Sequence, residues 1–512
     1  MTRLFGCLWV CCLLLSLSAF GVYAAEYDVS WDGTGDFTTI QDAIDAAVDG
    51  DVIVVDPGTY YENIHFVGEN ITLRSLDPED EEIVASTVID GAQKDSVVTF
   101  NIFENETCLL YGFTIINGKS TDTGGGILGQ DTLAAISNCT ITGNWASDGG
   151  GGLDRCNGTI SNCTISDNYS AYYYGGGLRE CDATISNCRI SGNSANGGGG
   201  LGWCDATISN CTISGNSAAF GGGLYNCQGT ITNCTISGIS ATGEYGTGSG
   251  LSECSGTISN CTISDNYSAY YYAGGLRECD ATITNCIVWG NAAPTGSLEL
   301  IECRDAVITY SCIRGWIAGG EGNISDDPLF VTGPLGAYYL SCMAAEQAAD
   351  SPCIDRGSGT AESLGLDNFT TRTDHVPDSR IVDMGYHYPL TPGQNPYTGC
   401  SLNSSEFAPG ELLLGFIEAH NPGPDVAVDA YVAFVLPDGA IVSLTSGGLA
   451  IGTHPWVSNV VLPSGFDFAP TEVLRTTVPQ SPGDYLFAAV LTKPGQFDFI
   501  AEPSLFPFAI RE

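Results

Sequence analysis

The sequence predicts an all-β chain: a single-stranded parallel β-helix with a capping helix at its N-terminal end, followed by a small β-sandwich. Three observations carry this prediction. The first is a repeat. One cysteine series falls at Cys139, Cys163, Cys188, Cys211, Cys234, Cys261, Cys286 and Cys312, with successive members 23 to 27 residues apart. A second runs through Cys156, Cys181, Cys204, Cys227, Cys254, Cys279 and Cys303. Self-similarity at a fixed period of this size marks a solenoid. The second observation is the make-up of one unit, Gly175 to Asn193. It holds short Thr-Ile-Ser and Cys-Arg-Ile runs of period two, set between Gly and Asn residues that suit left-handed turns. No 3.6-residue apolar period fits it. The third is a composition shift near residue 391, where the repeat stops and longer strand-like runs begin.

Three short strands in roughly 25 residues make one coil, and coils stack about 4.8 Å apart, so like residues lie over like. Leu178, Leu201, Leu224, Leu251 and Leu276 are expected to form an inward ladder. Asn168, Asn193, Asn216 and Asn266 form a second, broken by Ile239. The units resemble those of right-handed parallel β-helix proteins, the pectate-lyase-like superfamily. The GGGL and NCTISGNSA phrases are also similar to repeats of the polymorphic outer-membrane autotransporters. The resemblance covers residues from about 26 to 390 and implies a right-handed helix of ten or eleven coils. It implies little about activity, because that scaffold carries lyases, esterases, epimerases and adhesins.

The 512 residues include 16 Lys+Arg against 59 Asp+Glu, a net charge of −43. Such a surface repels nucleic acid and anionic lipid, and disfavours polyanionic sugars unless Ca²⁺ bridges them. Residues 1–25 read as a signal peptide: Arg3, an apolar run from about Leu8 to Phe20, and small Ala24 and Ala25 for cleavage. The run is too short to span a membrane. A secreted or cell-surface, monomeric protein follows as the expectation. Without Cys7, Cys11 and Cys12, 19 of the 22 cysteines are left. Ladder cysteines should pack as free, buried thiols. Cys342 and Cys353, outside the ladders, are the better disulfide candidates.

Along the chain, Thr38 or Thr39 can cap a short helix whose stripe is Ile40, Ala43, Ile44 and Ala47. It would cover the open first coil, and Val52–Val55 is the first buried strand. Gly58-Thr59-Tyr60-Tyr61-Glu62 then resembles the GxYxE motif of pectin methylesterases, and Gln130-Asp131-Thr132-Leu133 their QDTL motif. That resemblance implies a catalytic role for Asp131. The family's DFIFG and LGRPW motifs are absent, and QDTL occupies the place of a repeat phrase.

Four parts follow the signal segment. Residues 26–390 form the β-helix, with ladder repeats at 134–316 and a closing segment at 326–390. Residues 391–397 are a linker, and 398–512 a β-sandwich of strands separated by Pro-Gly and Asp-Gly turns. The closing segment resembles the end of many secreted β-helix proteins, where an Asp-rich loop and a last strand close the final coil. Asp326, Asp327, Asp355, Asp367 and Asp383 would cap loops or hold Ca²⁺ there.

Candidate site residues lie on the outside of the strand that ends at the second cysteine series. Asp154 should stack on Arg179 and Arg155 on Glu180, and Trp203 and Tyr225 continue the face as an aromatic patch. Arg179, Glu180, Trp203 and Tyr225, with Tyr172 and Tyr173 of a tyrosine-rich turn, are candidate sugar contacts. Asp182 and Asp205 follow the cysteine on successive coils and are candidate Ca²⁺ ligands. Near-identity of Thr159–Cys188 and Thr257–Cys286 suits a scaffold better than a site assembled once. The leading reading is an exported, non-catalytic scaffold that binds a polysaccharide, a cell-surface glycan or another extracellular protein. The alternatives are a Ca²⁺-dependent, pectate-type polysaccharide lyase using Arg179, Asp182 and Asp205, and a carbohydrate (pectin) esterase built on Asp131. No Ser-His-Asp set can be placed on the coils, since His65 is the one histidine before residue 370.

Overall fold

The structure, a computed structural model, describes residues 24–511 apart from 102, 122–123, 173, 244–247, 270–273, 295–298, 317–318, 346, 391–396, 405, 422–425, 438, 446–447, 463–465, 479–480, 493 and 495–503. Most of the predicted signal peptide and linker fall outside these residues. The chain forms a solenoid of about eleven parallel turns with antiparallel sheets in its C-terminal region. It divides into two compact units, Met1–Arg189 and Ile190–Glu512, each described by itself.

The first unit begins one strand earlier than expected: Glu26–Val29 pairs in parallel with Val52–Val55. Helix Ile40–Ala46 buries Ile40, Ala43 and Ile44, and Thr39 is its N-cap, accepting the Asp42 N–H at 3.3 Å. A second cap comes from the motif downstream. Glu62 accepts the N–H groups of Ile40 and Gln41 at 2.9 and 3.0 Å, where the helix dipole also favours a carboxylate.

Successive coils then pair in register: Ala135–Ser137 with Thr159–Ser161 and Thr184–Ser186, and Thr140–Thr142 with Thr164–Ser166. The leucine-ladder strand Leu153–Cys156 pairs with Leu178–Arg179. Among the described residues, seven of the coils also have a fourth strand that the three-strand expectation lacks. Lys119–Ser120, Trp145–Ala146 and Tyr169–Ser170 form it here. In the second unit Ser194–Gly197, Ser217–Phe220, Ser240–Ala241 and Tyr267–Ser268 form it.

The asparagine ladder forms and extends in both directions. Asn144 donates to Asn168 at 3.1 Å, Asn193 to Asn216 at 3.0 Å, and Asn266 to Asn291 at 2.8 Å. Glu299 ends the column, accepting from the Asn291 amide at 2.6 Å; burial pushes its carboxyl up to about 7. Ile239 interrupts the column, but its backbone N–H still reaches the Asn266 side chain at 3.0 Å.

The cysteines are free thiols throughout the described chain, and buried except for Cys303 and Cys400. Their arrangement explains why cysteine recurs. Asn210, Asn233 and Asn260 precede ladder cysteines with φ near +50°, which turns the following N–H into the core. A buried N–H needs a partner. The thiol of the next coil supplies it: Cys211 N donates to Cys234 Sγ and Cys234 N to Cys261 Sγ, both at 3.4 Å. Cys234 Sγ in turn lies 3.2 Å from the Thr232 carbonyl. Burial and the thiols above and below hold Cys234 well above the usual thiol range, so it stays protonated.

Cys312 leaves this column. Ile287 pairs with Cys312, so Ser311 takes the rung above Cys286. Ser311 Oγ accepts the Cys286 N–H at 3.1 Å and donates to the Thr309 carbonyl at 2.9 Å. A hydroxyl thus reproduces the thiol's two bonds. Cys234→Ser should therefore keep more stability than Cys234→Ala, although alanine is the less polar residue. The alanine orphans the Cys211 N–H at a cost of about 1–3 kcal/mol. Urea midpoints of the two variants decide it; equal losses would show that the thiol acts only as volume.

The closing segment corrects the expectation. A bridge between Cys312 and Ile324 completes the last coil, while the chain beyond it runs back along the flank as a strap. Gly385 N donates to the Asn285 carbonyl at 2.8 Å, Tyr386 N to Thr262 Oγ1 at 3.0 Å and His387 N to Asn233 Oδ1 at 2.7 Å. Leu340, Cys353 and Met384 pack on Ile287 and Cys312, so Cys353 lies against Cys312 and forms no bridge to Cys342. Asp383 accepts the Asp355 N–H at 2.7 Å and the Thr371 hydroxyl, as loop capping requires.

Tyr397, expected as the last linker residue, already begins a strand: Tyr397–Leu402, Leu412–Asn421 and Phe466–Thr477 form one antiparallel sheet. Val426–Val435, Gly483–Thr492 and Ser504–Ile510 centre a second. Leu413 and Ile417 of the first share one apolar core with Val432, Phe487 and Ile510 of the second.

Candidate functional site

The leucine-ladder strand ends in a repeated corner. The residue before each cysteine has positive φ: Arg155 and Glu180 in the first unit, and Trp203, Asn226, Glu253, Glu278 and Glu302 in the second. This backbone sends the cysteine inward. The left-handed conformation costs a non-glycine residue roughly 1–2 kcal/mol, so its recurrence marks it as a requirement of the coil. Within each unit the corner side chains are thereby displayed in a column.

In the first unit Asp154 stacks on Arg179 as expected, whereas Glu180 takes a partner other than the expected Arg155. Asp154 is fully buried, and Arg179 Nε lies 2.7 Å from its Oδ1. The glycine triplets cover it: a Cβ on Gly124 would stand 2.9 Å from the Asp154 Cβ. Arg155 Nε is 3.6 Å from Asp154 Oδ2. Glu180 pairs with Arg179 at 3.7 Å, in place of the expected stack on Arg155. Arg179 also donates to the Asp148 carbonyl, so its guanidinium is committed on several sides.

Asp131 stands one coil earlier, exposed, in a bulge. Leu128 aligns with Asp154 and Thr132 with Cys156, which leaves Gly129, Gln130 and Asp131 opposite Arg155 alone. The GTYYE segment is built into the fold. A Cβ on Gly58 would meet Trp31 at 2.5 Å, Tyr60 is buried, and Glu62 caps the helix. Tyr172 is 69% exposed; Tyr173 lies outside the described residues.

Asp182 in the first unit and Asp205 in the second are both turn residues tied to the turn of a neighbouring coil of their own unit. The Asp182 N–H donates to Asn157 Oδ1 at 3.0 Å, Asp205 Oδ1 accepts the Gln228 N–H at 3.1 Å, and Asp280 Oδ1 accepts the Asp305 N–H at 3.1 Å. Among the described residues no group of three or more His, Cys, Asp or Glu side chains is placed to hold a metal ion.

In the second unit the corner column lines a groove of about 560 Å³, walled by Glu253, Glu278, Asp280, Glu302 and Arg304. Arg277 reaches Glu278 at 2.8 Å and Glu302 at 3.4 Å. Desolvation, with Glu302 and Glu253 nearby, raises the Glu278 carboxyl. Tyr225 donates its hydroxyl to Glu253 at 3.2 Å, and Trp203 is 45% exposed. Sequence reasoning aligned Glu253 and Glu278 but missed Asp280, Glu302 and Arg304. The available signal was the carboxylate that recurs before successive cysteines.

A family model described as "Right handed beta helix region" matches residues 82–220 and 199–316. With the parallel turns above, this decides the architecture. The chain is a right-handed parallel β-helix repeat protein. The β-helix protein is 33% identical over 134 residues to a protein named "Cell surface glycoprotein" from Methanothermus fervidus. That match covers 26% of the chain and 19% of the relative, so the chain spans about a fifth of the length of this relative. Two solved pectin methylesterase complexes are also similar. One, with hexasaccharide VII, has 14% identity, covers 59% of this chain and 93% of the other, and has a TM-score of 0.26. The second, a mutant with hexasaccharide IV, has 13% identity, covers 58% and 81%, and has a TM-score of 0.20. Among the described residues no helix is long and apolar enough to cross a membrane.

Proposed function

We propose that this β-helix is an exported surface protein that binds glycans, without catalysis, along the outer corner of its leucine-ladder face. The observation that carries this reading is the groove of the second unit, with Tyr225 fixed to Glu253 at its margin. Carboxylates fixed in a column accept hydrogen bonds from sugar hydroxyls, and exposed aromatics such as Trp203 offer ring stacking. The groove's acidity favours neutral sugars over uronates. The signal-like first 25 residues and the name of the Methanothermus relative support a surface location.

A glycan array tests this. Binding to neutral oligosaccharides is expected, weakened about tenfold in Glu278→Gln combined with Trp203→Ala, or about 1.4 kcal/mol. Binding that both substitutions leave intact would remove the site from this corner.

A second reading, a carbohydrate esterase, is favoured by Asp131 standing one coil before the buried Asp154–Arg179 pair. It requires methanol release from methylated pectin that Asp131→Asn abolishes. The lyase reading needs Arg179 as a base, and that guanidinium is held by Asp154 and Glu180.

A further inference from the structure

The fourth strand displays a second column of outward side chains. In the first unit Lys119 pairs with Trp145, and Trp145 with Tyr169, on successive coils. They therefore lie above one another at the coil spacing of about 4.8 Å. Tyr169 is 43% exposed, and Tyr172 follows it three residues on. The Lys119 ammonium sits 5.7 Å from the centre of the Trp145 ring, within cation–π range.

The backbone under these rings is held firmly. Trp145 N donates to the Gly118 carbonyl, Tyr169 N to Asn144, Ala171 N to Ala146 and Tyr172 N to Ser147, all at 2.9–3.0 Å. The alternate residues Ser120, Ala146 and Ser170 are buried, so the ring-bearing positions face out. The coil does not need aromatics here. In the second unit the corresponding strand positions carry Ser217 and Ser240 before Tyr267. Placing rings on a rigid ladder, at positions serine fills as well, points to a ligand.

We infer that Trp145, Tyr169 and Tyr172 form a second sugar platform, built from residues other than those of the groove and suited to neutral pyranose polymers. This rests on the reading of the protein as a glycan binder. Aromatic faces pack against the C–H faces of pyranose rings. Lys119, a triple donor, sits at one end of the column to bond ring hydroxyls. The net charge of −43 works against polyuronates.

The test is calorimetric titration of the intact mature protein with cellohexaose, chitohexaose and oligogalacturonate. Wild type is compared with Trp145→Ser/Tyr169→Ser and with Glu278→Gln/Trp203→Ala, each checked for an unchanged thermal midpoint. The serine pair copies residues that the corresponding strand positions of the second unit already carry, so the coil should fold. The expected result is about tenfold weaker binding of a neutral hexasaccharide in the serine pair, with the groove variant retaining this second binding event. Wild-type binding unchanged by the serine pair would overturn the platform while leaving the glycan reading intact. A preference for oligogalacturonate would overturn the ligand class. Binding of none of the three would sink the platform, whereas the groove reading would still face the wider array.

Discussion

Replacing Arg179 by leucine is expected to cost the first unit about 3–5 kcal/mol of stability, the usual loss when one partner of a buried ion pair is removed. The reason lies in Asp154, which has no exposed surface and takes its closest charge from Arg179 Nε at 2.7 Å. Arg155 stands farther off, at 3.6 Å, and is itself partly exposed. With Arg179 gone, a carboxylate would be left in a glycine-walled site with little to offset its lost hydration. The double variant Asp154→Leu/Arg179→Leu should recover most of the loss, because the preceding coil already places Leu128 at the Asp154 position. Urea unfolding of the single and double variants measures this. A loss below about 1 kcal/mol for Arg179→Leu would mean that water or Arg155 replaces the missing partner.

Asn233→Gly is the second large expected effect, at about 2–4 kcal/mol for two buried backbone groups left without partners. Asn233 is one of three points where residues 385–387 of the strap grip the coils, and the one that bonds them twice. Its Oδ1 accepts the His387 N–H at 2.7 Å, and its Nδ2 donates to the His387 carbonyl at 2.9 Å. The side-chain amide thus completes the pairing that a neighbouring strand would provide. Glycine is the right replacement because the position has φ of +48°, which glycine adopts without strain. The loss in excess of that in an Asn→Gly control at another positive-φ site then belongs to the amide. Hydrogen exchange across residues 383–388 should rise sharply. Asn187→Gly, at an exposed turn of the first unit with φ of +53°, is the control and should change little. Equal exchange in the two variants would show that the strap is held elsewhere.

The parts legible in the sequence were those that translation along the stack enforces. A leucine, an asparagine or a cysteine recurring once per coil can only be a ladder, because like residues must lie over like. The helix stripe Ile40, Ala43 and Ile44 was legible for the same reason of period. The fourth strand was hidden because it is two residues long in several coils, such as Trp145–Ala146, too short for any period to show. The Cys312 error came from counting cysteines where the fold counts positions, and Ser311 meets the hydrogen-bonding need equally well. The burial of Asp154 was invisible because it depends on glycines of two coils folding over it. The strap was invisible because its partners, Asn233 and Thr262, look like every other Asn and Thr of the repeat.

The stretches Thr159–Cys188 and Thr257–Cys286 share nearly one sequence, yet Thr164 keeps part of its surface while Thr262 is buried beneath the strap and accepts the Tyr386 N–H. A surface written once by duplication has been read in two ways. Because every ladder looks the same after a shift of one coil, whole coils can be gained or lost in evolution without redesigning either end. The strap is the element that would register such a change, since it is cut to the length of the coils it crosses. Families of this architecture should therefore vary in coil number on the far side of the strap, with the coils around Asn233, Thr262 and Asn285 kept as a fixed terminal block.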